Sequence, residues 1–204
     1  LIYKENNITL RLGVRVTAID RKLAKVYCSD GTELAYKKLF LATGSSPVIF
    51  PVKLGGALLN VFYVRSIDDI NKLLYEFKPG KRVLIVGGGY IGLEIAAVAR
   101  KRNLEVTLVE SKDRILKRVA CAEISDYFRN LHEENGVRMI EGETIVELTE
   151  KKGLFSGAIL KNGEKIEADL SIIGIGAQPC TKLADECGLD VDDGIRVNKF
   201  CVTS

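Results

Sequence analysis

The stretch that most narrows the fold is RVLIVGGGYIGLEIAAVARKRNLEVTLVES, residues 82–111. An apolar run meets glycines, a helix-like pattern follows, and a second apolar run ends on a carboxylate. This reads as strand, turn, helix, strand, with strands over Val83–Val86 and Val106–Val109 and a helix over Tyr90–Arg102. Gly87, Gly89 and Gly92 have the G-x-G-x-x-G spacing, and they stand after a strand and at a helix start, the context that gives the motif weight. Gly87 allows the tight turn, Gly89 lets a pyrophosphate approach the backbone, and Gly92 lets helix and strand pack closely. Unpaired N–H groups and the positive end of the helix dipole favour an anion there. Ala96, Ala97 and Ala99 suit a helix pressed against a sheet. Glu110 closes the second strand about 20 residues past the first glycine, the place of an acid that accepts from both adenosine ribose hydroxyls. Its charge repels a 2′-phosphate, so NAD(H) is expected ahead of NADP(H), although Lys112 and Arg114 leave the latter open. The plain alternative is a glycine-rich turn with no ligand. Three glycines there weaken folding, and packing alone is expected to explain only one.

The elements around this unit can be read in outline. "VRVTAI", "AKVYC" and the apolar run "KLFLA" suggest short strands over residues 14–42, with "SDG" as a turn. Ser66–Phe77 reads as a helix: Ser66 and Asp69 form a capping box, and Ile67, Ile70, Leu73, Leu74 and Phe77 line one face. Pro79-Gly80 stops it. A further helix is expected near Glu123–Glu134, with Ile124, Tyr127, Phe128 and Leu131 as its apolar face and Gly136 just past its end. "VRMI" reads as a strand, residues 144–167 as an antiparallel meander with an Asn162-Gly163 turn, and "LSIIGIG" as a buried strand running into a loop.

The two β-rich ends repeat one design. DGTELAYKKLFLATGSSP (30–47) aligns without a gap on NGEKIEADLSIIGIGAQP (162–179). Gly31 meets Gly163, Leu34 meets Ile166, Phe40-Leu41 meets Ile172-Ile173, Gly44 meets Gly176 and Pro47 meets Pro179. A generic hairpin, strand and turn would give some of this, but the equal spacing favours two modules. The second module follows a glycine-rich βαβ unit, so a matching unit for the first is expected upstream of Leu1, and the chain is expected to be a piece of a longer protein.

Bulk properties exclude other classes. Of 204 residues 47% are apolar, enough for a packed core, and the net charge is a slight +3 with both signs interspersed. No clustered basic face marks a nucleic-acid partner. No apolar run approaches the ~18 residues of a membrane span, and no signal peptide opens the chain. Cys28, Cys121, Cys180, Cys187 and Cys201 are scattered without C-x-x-C spacing, which reads as reduced thiols in a cytoplasmic protein. His132 is the single histidine, so no multi-histidine metal site is available.

Taken together, LRLGVRVTAID, KLFLATGSSP, VFYVRSIDDINKL, VLIVGGGYIGLE, VTLVE with Arg114 and Arg118, ISDYFRNLHEENGV, ADLSIIGIGAQP and DDGIRVNKFCVTS resemble the FAD-dependent pyridine nucleotide-disulfide oxidoreductases, in particular the ferredoxin and rubredoxin reductase group of putidaredoxin reductase type. The stretches cover nearly the whole chain in family order. The resemblance implies an α/β fold: a Rossmann-like, three-layer NAD-binding domain with an antiparallel β-meander, flanked by pieces of a second, FAD-binding domain of similar design. Residues 1–62 would be part of the FAD domain, 66–180 the NAD(P) domain, and 181–204 the start of the return to the FAD domain.

Members pass hydride from NADH to FAD and electrons on to an iron–sulfur protein of ferredoxin or rubredoxin type. The resemblance further implies that Gly87, Gly89, Tyr90, Ile91 and Gly92 hold the nucleotide. It also implies that Glu94 lies near nicotinamide and flavin and Gly176 near the nicotinamide half. Arg114 or Arg118 would hold the adenosine diphosphate, and Ala42, Thr43 and Gly44 would stand near the flavin nucleotide. An exposed helical acid is the plain alternative for Glu94, and solvated surface cations for the arginines.

The family's FAD fingerprint and its Gly-Asp motif fall outside the sequence, so these 204 residues alone are expected to be inactive as a reductase. Cys180 replaces the family's usual Asn, which bears on the hydrogen bonding of that loop. Two other roles for the intact protein stay open: a nitrite, CoA-disulfide or peroxide reductase, and an NADH-sensing protein like apoptosis-inducing factor. An active-site cysteine upstream would mark the first.

Overall fold

The computed structural model describes residues 2–204 and divides into two compact units, one of Pro47–Ala177 and one of the residues up to Ser46 with Gln178–Ser204. The chain enters through a short helix α1 (Ile2–Glu5) and builds an antiparallel sheet from β1 (Val16–Asp20), β2 (Lys25–Cys28) and β3 (Glu33–Ala35), in the order β1-β2-β3. Strand β4 (Ser45–Pro47) follows, and the larger unit opens with a single 3₁₀ turn at Val52–Leu54.

The larger unit alternates strand and helix: β5 (Val61–Tyr63), α2 (Ile67–Glu76), β6 (Arg82–Val86), α3 (Tyr90–Lys101), β7 (Glu105–Glu110), α4 (Ala122–Glu134) and β8 (Val137–Glu141). An antiparallel meander of β9 (Ile145–Lys151), β10 (Leu154–Leu160) and β11 (Lys165–Glu167) comes next, then β12 (Leu170–Ile173). Five strands form one parallel sheet in the order β5-β12-β6-β7-β8, with β12 inserted between β5 and β6.

Side-chain alternation along these strands divides the core in two. Val83, Ile85, Val106, Leu108, Leu170 and Ile172 face the helices and pack with Leu73, Phe77, Leu93, Ala96 and Ala99. Leu84, Val86, Val109 and Ile173 face the meander and pack with Leu148, Phe155, Ala158, Leu160 and Ile166. Helices, parallel sheet and meander are the three layers, and a sheet covered on both faces accounts for the unbroken apolar run of β6.

The smaller unit closes with β13 (Ala177–Pro179), which pairs with β4, and α5 (Lys182–Glu186), which packs against β1. Arg21 ties its two chain segments together, donating to the carbonyls of Gly188 (2.9 Å) and Ser204 (2.7 Å).

The internal repeat is visible in these elements. β3 and β11 occupy corresponding positions, as do β4 and β13, and each module carries an antiparallel three-stranded meander. The middle strand differs. Ile172 lies in β12 between two neighbours and is 1% exposed, whereas Phe40, its counterpart, is 86% exposed and in no strand. The expected strand over "KLFLA" is therefore absent: extended backbone needs paired N–H and C=O groups, and no strand lies beside this one among the described residues.

Helix faces hold two further departures. Ile67 is exposed at the first position of α2, and on α4 the residues Ile124, Tyr127 and Leu131 face outward while Ser125 and His132 are buried. Ser125 is inside because its hydroxyl donates to the Ile115 carbonyl (2.6 Å), so a polar tether joins the packing of Phe128 on that face. Burial without a charged partner pushes the His132 imidazole below its ordinary pKa.

The α2 capping box forms as its sequence predicts: Ser66 accepts from the Asp69 N–H, and Asp69 accepts from the Ser66 N–H at 2.8 Å. These bonds, those to Ser66 first, hold the Asp69 carboxyl below the 3.8 of a free Asp. Ser66→Ala should cost about 1 kcal/mol of stability, read from the urea midpoint at neutral pH. The Asp69 half of the cap is fully present above pH 3.8 and is lost as pH falls through its lowered pKa. The Ser66 hydroxyl also donates to the Asp69 carboxylate at 2.9 Å, so the Ser66→Ala penalty measured at neutral pH should shrink in acid.

Candidate functional site

The parallel sheet reverses its winding between β12 and β6, and ligands of open α/β sheets bind outside the carboxyl ends of strands at such a point. The glycine turn lies there. Gly87 has φ +108°, a left-handed conformation, and a Cβ on it would stand 2.3 Å from the Gly174 carbonyl oxygen at the end of β12. A Cβ on Gly88 would meet Ile115 Cγ2 at 2.5 Å, and one on Gly92 would meet the Gly87 carbonyl oxygen at 2.0 Å.

Gly89 differs from all three. Among the described residues, chain neighbours aside, no atom lies within 4 Å of its missing Cβ, and its backbone is extended at φ −86°, which any residue adopts. Packing thus explains Gly87 and Gly92, one more of the motif's glycines than the sequence led us to expect, together with Gly88. Only Gly89 is left for a bound group to explain. It is also the N-cap of α3 and lends no side chain to the first-turn N–H groups, which therefore stay free for an anion.

Glu110, at the end of β7, is half-buried and reaches the turn. It accepts from the Gly88 N–H at 2.7 Å, from the Lys112 N–H at 2.8 Å and from the Ser111 hydroxyl at 3.2 Å. A carboxylate offers about four acceptor positions, so one is open, and engaging both hydroxyls of a ribose would displace the long Ser111 bond.

The two arginines separate. Arg114 is bound within the chain, donating to Ser125 Oγ at 2.6 Å and to the carbonyls of Cys121 (3.3 Å) and Lys117 (3.4 Å). It is neither a solvated cation nor free to hold a ligand with those donors. Arg118, in the same loop, is exposed and makes no hydrogen bond or ion pair among the described residues.

Tyr90 and Ile91 begin α3 with 61% and 50% of their surfaces exposed, and Glu94 is exposed one turn on. Gly176 has φ +135°, and its carbonyl accepts from the Val48 N–H at 3.0 Å. In the smaller unit, Ala42, Thr43 and Gly44 form an exposed corner held by Cys180, whose carbonyl accepts from Thr43 Oγ1 (2.6 Å) and whose N–H donates to the Gly44 carbonyl (2.9 Å). The Cys180 main chain makes these bonds, so the Cys in place of Asn leaves them intact.

Within the larger unit the structure brings together Gly87, Gly89, Tyr90, Ile91, Gly92, Glu110 and, through Gly174, the loop that leads to Gly176. Sequence reasoning missed Gly88, Gly174 and Ile115, the atoms that shape the turn. The triple-glycine run was a signal for Gly88. Ile115 carried none, because its role depends on a loop folding back over the turn.

The chain matches the pyridine nucleotide-disulphide oxidoreductase family over residues 3–204. It is 38% identical over 206 residues to putidaredoxin reductase of Pseudomonas putida, covering 99% of this chain and 49% of that protein. It is 36% identical to rubredoxin-NAD(+) reductase of Pseudomonas putida, covering 99% of this chain and 52% of the relative. Among solved structures it resembles the reductase in a covalent putidaredoxin reductase–putidaredoxin complex, with a TM-score of 0.93, 37% identity and 99% and 49% of the two chains covered. A ferredoxin reductase of Rhodopseudomonas palustris aligns with a TM-score of 0.94 at 34% identity, covering 99% of this chain and 50% of that one. The chain thus spans about half the length of the relatives it matches.

The glycines divide into two experimental classes. Gly92→Ala forces a Cβ onto a carbonyl and should destabilise the chain by about 1–3 kcal/mol. Gly89→Ala should change stability by no more than about 1 kcal/mol yet weaken NADH binding by at least about tenfold. Urea unfolding and NADH fluorescence titration separate the two effects, and a Gly89→Ala chain that binds NADH normally would remove the reason for placing an anion there.

Proposed function

This chain belongs to the pyridine nucleotide-disulphide oxidoreductase family, and we propose that it supplies the NADH-binding part of a flavoprotein reductase. In this reading residues 66–180 are the NAD(P)H domain, and residues 1–62 and 181–204 are parts of the FAD domain. The whole protein passes hydride from NADH to FAD and electrons on to an iron–sulfur protein of ferredoxin or rubredoxin type. The names of the relatives support that acceptor class. Five free cysteines support a reducing compartment, the cytoplasm. Among the described residues no helix is long and apolar enough to cross a membrane.

One observation carries the nucleotide assignment: at the strand switch, a main-chain turn is left bare at Gly89 with a carboxylate beside it. The residues present fit a dinucleotide. The free N–H groups at the start of α3 bind a diphosphate, and the helix dipole adds attraction. Glu110 accepts from ribose hydroxyls, and its charge selects against a 2′-phosphate. Arg118 supplies the unpaired cation for the phosphates.

Gly174 and Gly176 lie in the loop that leaves β12 beside the turn, and in this reading the nicotinamide half lies along that loop and near Glu94. Ala42, Thr43 and Gly44 offer the flavin nucleotide an exposed main-chain corner. Bound FAD supplies the conversion of a two-electron hydride into single electrons, and the protein's part is to hold and orient the partners.

Glu110→Ala is expected to raise the NADH dissociation constant about tenfold or more, the loss of one charge-assisted hydrogen bond, and to lower the preference for NADH over NADPH. Titration with both nucleotides reads this, with a melting curve alongside because Glu110 also holds the Gly88 N–H. Unchanged affinity and an unchanged NADH/NADPH ratio would remove the carboxylate from the site.

A further inference from the structure

Glu141 ends β8, the edge strand, and stands directly across the sheet from Glu110, its register partner in β7. Its side chain is 15% exposed, and it does not reach the glycine turn. It accepts from the Ile115 N–H at 2.7 Å and from Arg129 through Nε at 2.6 Å and Nη2 at 3.3 Å. Ile115 is thereby gripped from both sides, since its carbonyl accepts from buried Ser125. The next residues after β8 hold the same loop: the Gly142 N–H donates to the Lys112 carbonyl and the Glu143 N–H to the Glu110 carbonyl.

These tethers act on the nucleotide turn. The Ile115 side chain is fully buried and packs on Gly88, whose missing Cβ would lie 2.5 Å from its Cγ2. The Leu116 N–H donates to the Gly88 carbonyl at 2.9 Å, and Leu116 itself holds a left-handed backbone, φ +54°, which a leucine keeps only under constraint from its surroundings. Arg118 follows two residues on, with no partner among the described residues. The position of this free cation is therefore set by where Ile115 and Leu116 are pinned.

We propose that Glu141 is the positioning residue of the nucleotide site: it fixes Ile115, and through it both the glycine turn and the placement of Arg118. The inference rests on the nucleotide reading given above. Glu141 lies outside the G-x-G-x-x-G unit and acts on the ligand only through the loop. A Gln in its place keeps size and one acceptor oxygen. It cannot serve the Ile115 N–H and the Arg129 guanidinium with two charged oxygens at once.

The test is NADH titration of the 204-residue chain, its Glu141→Gln and Arg118→Ala forms, and the double variant. Glu141→Gln should weaken NADH binding about tenfold, as expected for one charge-assisted hydrogen bond. Arg118→Ala should weaken the parent but have little further effect once Glu141 is changed, since the cation is already misplaced. A merely structural Glu141 would lower the melting temperature and leave the Arg118→Ala effect undiminished. That additive result, or unchanged affinity in Glu141→Gln, overturns the proposal.

Should Glu141→Gln fold poorly, Arg129→Met frees the carboxylate from its ion pair but keeps it on Ile115, and it should show the same coupling to Arg118 at smaller amplitude. Absence of coupling there counts equally against it. Gly89→Ala, run in parallel, separates the two ideas. Normal NADH binding in Gly89→Ala defeats the nucleotide site itself. Lost binding there with no effect of Glu141→Gln defeats only the role given to Glu141.

Discussion

Two main-chain carbonyl oxygens, those of Gly87 and Gly174, occupy space that side chains would otherwise fill. The first lets α3 start against the end of β6, and the second lets β12 run in beside β6. These approaches let β12 sit between β5 and β6 beside the start of α3, with the helix terminus left free at the strand ends. A Cβ on Gly92 or on Gly87 would push these elements apart, because interiors packed to crystal density have no slack to absorb an added carbon. The same contacts that hold the fold together therefore leave main-chain N–H groups exposed at the point where winding reverses.

Around that corner, hydrogen bonds do what apolar packing cannot. Glu110 and Glu141, side by side in register, each face an N–H of the loop or turn they hold rather than each other. N–H groups satisfy both carboxylates in this partly buried corner, and the Arg129 guanidinium adds two more donors to Glu141. The loop from Ser111 to Cys121 thus has defined positions for Lys112, Ile115 and Leu116 although it carries no strand or helix. The exposed cation at Arg118 is carried on that frame, while Arg114 helps to build it.

Much of this is legible in the residues alone. β6, α3, β7, β8, the meander and β12 lie where periodicity and turn residues put them, and the α2 cap follows from Ser66 and Asp69 alone. Local rules suffice there because propensity, pattern and tertiary context agree. They failed on "KLFLA", whose residues suit a strand but have no neighbour to pair with, and on α4, where Ile124, Tyr127 and Leu131 obey helical spacing yet face outward. Periodicity identifies a stripe, not which stripe meets the sheet, and the buried hydroxyl of Ser125 decided that by reaching Ile115. The repeat was legible as spacing, and the matched positions of β3 with β11 and β4 with β13 give it structural substance.

By itself the sequence determined the strand–glycine–helix–strand unit, the acid at its end and the doubled module, because each is written in residue types at fixed local intervals. Tertiary structure alone decided which glycine is left open, which arginine is free and what holds the loop between them. Those outcomes turn on Gly174, Ile115, Ser125 and Glu141, residues brought to one corner from separate parts of the chain. A contact between distant residues is a property of distance in space, and no local interval records it.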